Sequence, residues 1–206
     1  MKLAVFDVDS TLIDAETIEQ LASVVGLEDK VREVTTRAMQ GELDFFESLT
    51  YRVGLLKGVD VNKVNEICQN LPLMNGAKET VKALKDKGYK VVCFSGGFKN
   101  ATVPLKEKLG LDAEFANILH EKDGKLTGLV GGEMMFNNSK FLMLKKIQEL
   151  MNILPENTIA VGDGANDVGM FERAKTKIAF MAKDVLKKKA NVIIDTKDLR
   201  EILKYI

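Results

Sequence analysis

Apolar residues change their spacing along this chain, and the changes divide it into regions. Lys2-Leu3-Ala4-Val5 is a short unbroken apolar run, the pattern of a strand buried on both faces. No similar run recurs before Lys90. In between, Ile18, Leu21, Ala22 and Val25 fall at helical spacing, as do Val31, Val34, Ala38 and Met39. This predicts helices over Ala15–Val25, Glu28–Met39, Asp44–Leu56 and Val61–Leu71. Gly26, Gly41 and Gly58 mark their ends, and Asp44 and Asp60 are N-caps. Four short helices in a row predict a small bundle inserted after the first strand.

From Asn75 helix and strand alternate. Gly76–Lys87 reads as a helix closed by Gly88, and Lys90–Phe94 as a β-branched strand. Glu114–Leu119 and Lys125–Val130 flank Lys122-Asp123-Gly124, a strong hairpin signal. Lys140–Met151 is helical, Thr158–Val161 a strand, Gly164–Ala174 a helix and Lys177–Phe180 a strand. Asn191–Ile194 is a last strand and Leu199–Tyr205 a last helix. Pro104 falls where a helix is expected, so that helix either starts near Thr102–Val103 or bends. The chain is therefore expected to be α/β, with a parallel-sheet core over 1–14 and 75–206, a helical domain over 15–74, and a small β-hairpin.

Composition narrows the partners. Thirty basic and thirty acidic residues cancel, which leaves no basic footprint for general nucleic-acid binding. No apolar run approaches the ~20 residues of a membrane span. Cys68 and Cys93 lack metal-ligand spacing and read as reduced, buried thiols. No signal-peptide pattern is visible, so a cytoplasmic protein is expected; monomer and homodimer are both compatible with the sequence.

Chemistry-bearing residues gather where strands should end, the usual place for an active site in such sheets. Asp7 and Asp9 follow the first strand and would point to one side of an extended chain. Carboxylates that close repel unless a cation neutralises them or they share a proton, and oxygen-only ligands suit Mg²⁺. Ser95-Gly96-Gly97-Phe98 follows a second strand, and its hydroxyl and flexible amides could cradle phosphate. Gly162-Asp163-Gly164-Ala165-Asn166-Asp167 follows a third. Each alone could be a turn; their joint placement is far more specific. Lys140, opening a helix, reads by position alone as a surface lysine.

Taken together, Asp-Val-Asp-Ser-Thr, Ser-Gly-Gly-Phe, Lys140 and Gly-Asp-Gly-Ala-Asn-Asp resemble, in order, the four motifs of the haloacid dehalogenase superfamily. The resemblance extends to Glu16-Thr17-Ile18, Ala38-Met39-Gln40-Gly41, Ser48-Leu49 with Arg52-Val53, and Leu199–Leu203, nearly the whole chain. It implies a Rossmann-like core with the first strand central, capped by the helical insertion. It also implies an Mg²⁺-dependent phosphatase with Asp7 as nucleophile and Asp9 as proton donor and acceptor. Asp7, Asp163 and the backbone carbonyl of Asp9 would hold the metal, and Asp167 would orient a metal-bound water. Ser95, the Gly96 amide and Lys140 would bind phosphoryl oxygens, with Asn166 nearby. Glu16 would meet a substrate ammonium and Arg52 a carboxylate, while Met39 and Phe45 would exclude water. The small-molecule substrate so implied is a phosphorylated amino acid. The alternatives are a related phosphatase or phosphotransferase acting on another small phosphate, and an inactive receptor for a phosphorylated metabolite. His120 and Lys187-Lys188-Lys189 read as surface residues, and the methionines as filler.

Overall fold

The computed structural model describes residues 1–206. One seven-stranded sheet runs through it in the order β4-β3-β2-β1-β5-β6-β7. The strands are β1 (Lys2–Phe6), β2 (Tyr89–Phe98), β3 (Ala113–Lys122), β4 (Lys125–Gly132), β5 (Thr158–Gly162), β6 (Thr176–Phe180) and β7 (Val192–Ile194). All neighbours are parallel except the β3–β4 hairpin. The unbroken apolar run of β1 is explained by its central place. Ala4 and Phe6 enter one buried cluster and Leu3 and Val5 another, on the opposite face.

Between β1 and β2 lie α1 (Thr17–Ser23), α2 (Glu28–Met39), α3 (Phe45–Gly54), α4 (Val61–Gln69) and α5 (Ala77–Asp86). The side chain of Asp44 accepts the Glu47 amide at 2.9 Å, and that of Asp60 accepts the Asn62 amide at 2.8 Å. Such caps each stabilise a helix by about 1 kcal/mol. Apolar residues of α1–α4 share one buried cluster with the sheet rather than forming a core of their own. The two chain crossings are bonded to each other: Asp14 N–H donates to Pro72 O and Met74 N–H to Leu12 O, both at 2.9 Å. A third link comes from the hairpin. Asp123 and Gly124 both have positive φ, the two-residue turn that the sequence predicts. Just beyond it Gly58 N–H donates to Leu126 O and Leu126 N–H to Val59 O, both at 2.8 Å.

The remaining helices are α6 (Lys99–Leu109), α7 (Ser139–Met151), α8 (Val168–Phe171) and α9 (Asp184–Lys187). No helix is long and apolar enough to cross a membrane. Three expectations need correction. Of the two readings of Pro104 the late start near Thr102 fails, since α6 starts at Lys99 with Pro104 inside it; burial of Ala101, Thr102, Leu105 and Leu109 outweighs one missing hydrogen bond. The expected helix over Gly164–Ala174 is a tight 3₁₀ turn, Ala165–Asp167, followed by the short α8. The cause is Asp167, whose carboxylate reaches back to accept two amides. The last helix, Leu199–Tyr205, is also 3₁₀. Leu199 and Ile202, three apart, both face the core, and the Asp198 side chain accepts the Arg200 amide to tighten the first turn.

Candidate active site

The carboxyl ends of β1, β2 and β5 meet under α1–α3. Asp7, the first residue past β1, is held beside β5 by its amide, which donates to Val161 O at 2.9 Å. Lys140, in the first turn of α7, is only 3% exposed. Its Nζ donates to Asp7 Oδ1 and Asp167 Oδ1, both at 2.6 Å. This reverses the surface reading that position alone favours: two buried acids outweigh the unfavourable helix start. Burial works against the Lys140 ammonium, but Asp167 and Asp7 overcome it and raise the pKa above the usual lysine value.

Asp167 is fully engaged, since its other oxygen accepts the amides of Asp163 (2.9 Å) and Gly164 (3.1 Å). Gly162 is required beside it, because a Cβ there would lie 2.3 Å from Asp167 Oδ2. Asp7, Asp163 and Asp167 each bring an oxygen within 4.8 Å of the others. Three buried carboxylates thus share one ammonium. Burial and then Asp167 push the Asp7 carboxyl up to about 7, against the pull of Lys140. Burial and then Asp7 hold Asp163 well above the carboxylate range. An all-oxygen donor set short of positive charge fits a hard divalent cation. The Asn166 side-chain oxygen, buried without a partner nearby, adds to that fit.

Asp9 faces the same cleft. Its Oδ1 accepts the Thr17 amide at 2.6 Å, which is why α1 starts at Thr17 rather than Ala15. Its Oδ2 accepts from Ser95 Oγ at 3.3 Å. Ser10 adopts a left-handed φ of 56°, and its hydroxyl donates to Glu16 Oε1 at 2.7 Å. Burial and then Asp9 push Glu16 up to about 8. Ser95-Gly96-Gly97-Phe98 is not a loop after β2, as its glycines suggest, but the continuation of that strand. Beyond Cys93 it has left β1 behind, and its register against β3 shifts. The Gly97 amide donates to Ser95 Oγ at 2.9 Å. A Cβ on Gly96 would stand 2.6 Å from Phe45 Cζ, so the bare glycine lets the ring close over the cleft.

Arg52 comes down from α3 and is 3% exposed. Nε donates to Ser48 O at 3.0 Å and Nη1 to Thr35 Oγ1 at 2.8 Å, and no protein carboxylate pairs with it. Nine of the residues singled out from sequence line the cleft: Asp7, Asp9, Glu16, Met39, Phe45, Arg52, Gly96, Asp163 and Asn166. Ser95, Lys140 and Asp167 are buried directly behind them. Gly97 and Phe98, from the stretch read as a phosphate cradle, also line it, as do Ile18 and Leu49, to which the sequence reading gave no role of their own. Ile18 and Leu49 carried only the signal of ordinary helical core positions. His120 is exposed on the hairpin beside Thr127, and burial pushes the Cys68 thiol up to about 12, so neither belongs to the chemistry.

The profile of the haloacid dehalogenase-like hydrolases matches residues 1–175. The chain is 60% identical to the phosphoserine phosphatase of Wolinella succinogenes over the full length of both. It is 51% identical to that of Methanocaldococcus jannaschii, covering all of this chain and 97% of the relative. A solved substrate-bound phosphoserine phosphatase complex superimposes with a TM-score of 0.97 at 51% identity, covering all of this chain and 98% of that one. A phospho-aspartyl intermediate analogue of phosphoserine phosphatase matches equally well. On the family profile over residues 1–175 and the full-length identity to these relatives, the chain belongs to the haloacid dehalogenase-like hydrolases.

Proposed function

We propose that this enzyme hydrolyses O-phosphoserine to serine and phosphate. The observation that carries the substrate is Arg52, a buried guanidinium with no protein carboxylate, in one cleft with Glu16 and the Asp7 centre. An amino acid presents a carboxylate and an ammonium, the two charges that this pair lacks. Relatives at 60% and 51% identity bear the name of that activity.

Asp7 attacks phosphorus; its oxygen–phosphorus bond forms as the bond to the seryl oxygen breaks. Asp9 gives its proton to the departing seryl oxygen, then takes one from the water that attacks phosphorus and frees Asp7. Ser95, the Gly96 amide and the Lys140 ammonium hold the phosphoryl oxygens. Asp7, Asp163 and the backbone carbonyl of Asp9 would hold Mg²⁺, with Asp167 fixing the turn around them. When bound, the ion neutralises the acids and draws charge from the phosphoryl group. Residues 15–74 act as a cap over the core of 1–14 and 75–206; Met39 and Phe45 keep bulk water out once it closes.

Phosphate release with Mg²⁺ across a panel of small phosphometabolites tests this reading. Phosphoserine should give the highest kcat/KM, and Asp7→Asn should abolish release while the fold is retained. Preference for a phosphate ester without an amino-acid backbone would reject the substrate. Release that survives Asp7→Asn would reject the nucleophile.

A further inference from the structure

Thr35 lies outside the cleft, yet its hydroxyl is bonded to the guanidinium inside it. It belongs to the buried stripe of α2, Val31, Thr35 and Ala38, where it is the polar member. A hydroxyl has one hydrogen, and that of Thr35 is spent on Val31 O at 2.9 Å. Its oxygen can therefore only accept, and what it accepts is Arg52 Nη1 at 2.8 Å. Both residues are 3% exposed, so no solvent competes for the bond.

The geometry fixes a direction as well as a contact. One anchor, Nε on Ser48 O, would leave the guanidinium plane free to swing. The second anchor, at Nη1, removes that freedom in a residue that lines the cleft. Ser48 contributes through its backbone, which any residue supplies; Thr35 contributes through a side chain that substitution can remove. We propose that Thr35 is a positioning residue for substrate selection, one that aims Arg52 at the carboxylate of an amino-acid substrate. This rests on the phosphoserine reading.

The test is the ratio of kcat/KM for phosphoserine to that for para-nitrophenyl phosphate, which has no carboxylate. It is measured in the wild type, Thr35→Val, Thr35→Ala, Thr35→Ser, Arg52→Ala and Thr35→Val/Arg52→Ala. Loss of the hydroxyl should lower the ratio about tenfold, the usual scale for a hydrogen bond to a charged group, mainly through KM for phosphoserine. Thr35→Ser should restore it, and Thr35→Val should add nothing in the Arg52→Ala background. Either hydroxyl-free variant that folds reads the outcome. If Arg52→Ala lowers the ratio while Thr35→Val and Thr35→Ala reduce both substrates alike or neither, Thr35 serves packing only and the inference fails. If Arg52→Ala itself leaves the ratio unchanged, the amino-acid reading fails and takes this inference with it.

Discussion

Asp167 is fully buried behind the cleft rather than lining it, yet the candidate site hangs on it. One oxygen holds Lys140 and the other ties down the amides of Asp163 and Gly164, so one side chain sets both the cation and the turn. The absent side chain of Gly162 makes room for this: a Cβ would lie 2.3 Å from Asp167 Oδ2 and 2.8 Å from its Cβ, too near the backbone for rotation to relieve. Gly162→Ala should therefore misplace Lys140 and Asp163 together. Breaking such a buried ion pair costs about 3–5 kcal/mol. We expect a lower melting temperature and loss of turnover; a variant with wild-type stability and activity would remove Asp167 from this role. The acids of the site were legible in the sequence because they stand at strand ends at short spacing. By position alone Lys140 reads as a surface residue, and only the family resemblance puts it in the site; Thr35 drew no attention, because a lysine at a helix start and a threonine in a helical stripe look alike whether they serve a site or not. Only contacts across many residues of chain distinguish them, such as Lys140 to Asp7.

At the scale of elements, α3 is the moving candidate, since it carries both Phe45 and Arg52 over the cleft. Its far end is held, since α3 lies against β4 and the loop after it is bonded to the hairpin, while α4 lies against α6. At its start, α3 is also clasped to the core. Phe46 stacks on Phe136, ring centroids 5.2 Å apart, just ahead of the helix that bears Lys140. Both rings are substantially exposed, so Phe46→Ala should cost little folding stability. It should instead favour the open cleft and raise KM for phosphoserine by roughly 2- to 10-fold, the worth of an aromatic pair. Hydrogen exchange in α3 should quicken in parallel. Unchanged KM and exchange would mean that the stack does not govern closure. Periodicity revealed the four helices and the alternation after them, since burial of one face sets each. It did not reveal that β2 runs on through Ser95–Phe98 or that the hairpin bonds to the loop after α3. Those pairings are decided by neighbours distant in sequence.

Over the whole molecule charge sums to zero, but Asp7, Asp163 and Asp167 are crowded into one buried region, with Asp9 and Glu16 in the cleft beside them. The crowding should show as a pH dependence of stability, and Glu16 offers the cleanest handle. Burial, Asp9, Asp7 and Glu19 raise its pKa and the Ser10 hydroxyl lowers it; Asp163 and Arg52 also feel its charge. The net result is about 8, against 4.5 for an ordinary glutamate. Between those values the folded protein holds a proton that the unfolded chain has released. Stability conferred by this group is complete below about 4.5 and falls as pH rises toward about 8, where the slope ends. A glutamine at this position has no proton to lose, so Glu16→Gln should flatten the decline. The measurement is the urea midpoint of the metal-free protein between pH 5 and 8, in a chelator. Wild type and variant should diverge as pH rises, the variant becoming relatively more stable. Adding a small ammonium such as serine should narrow the gap, because a cation beside Glu16 favours its ionised form. Parallel curves for the two proteins would show that Glu16 is already ionised without a ligand, and that burial does not govern its charge.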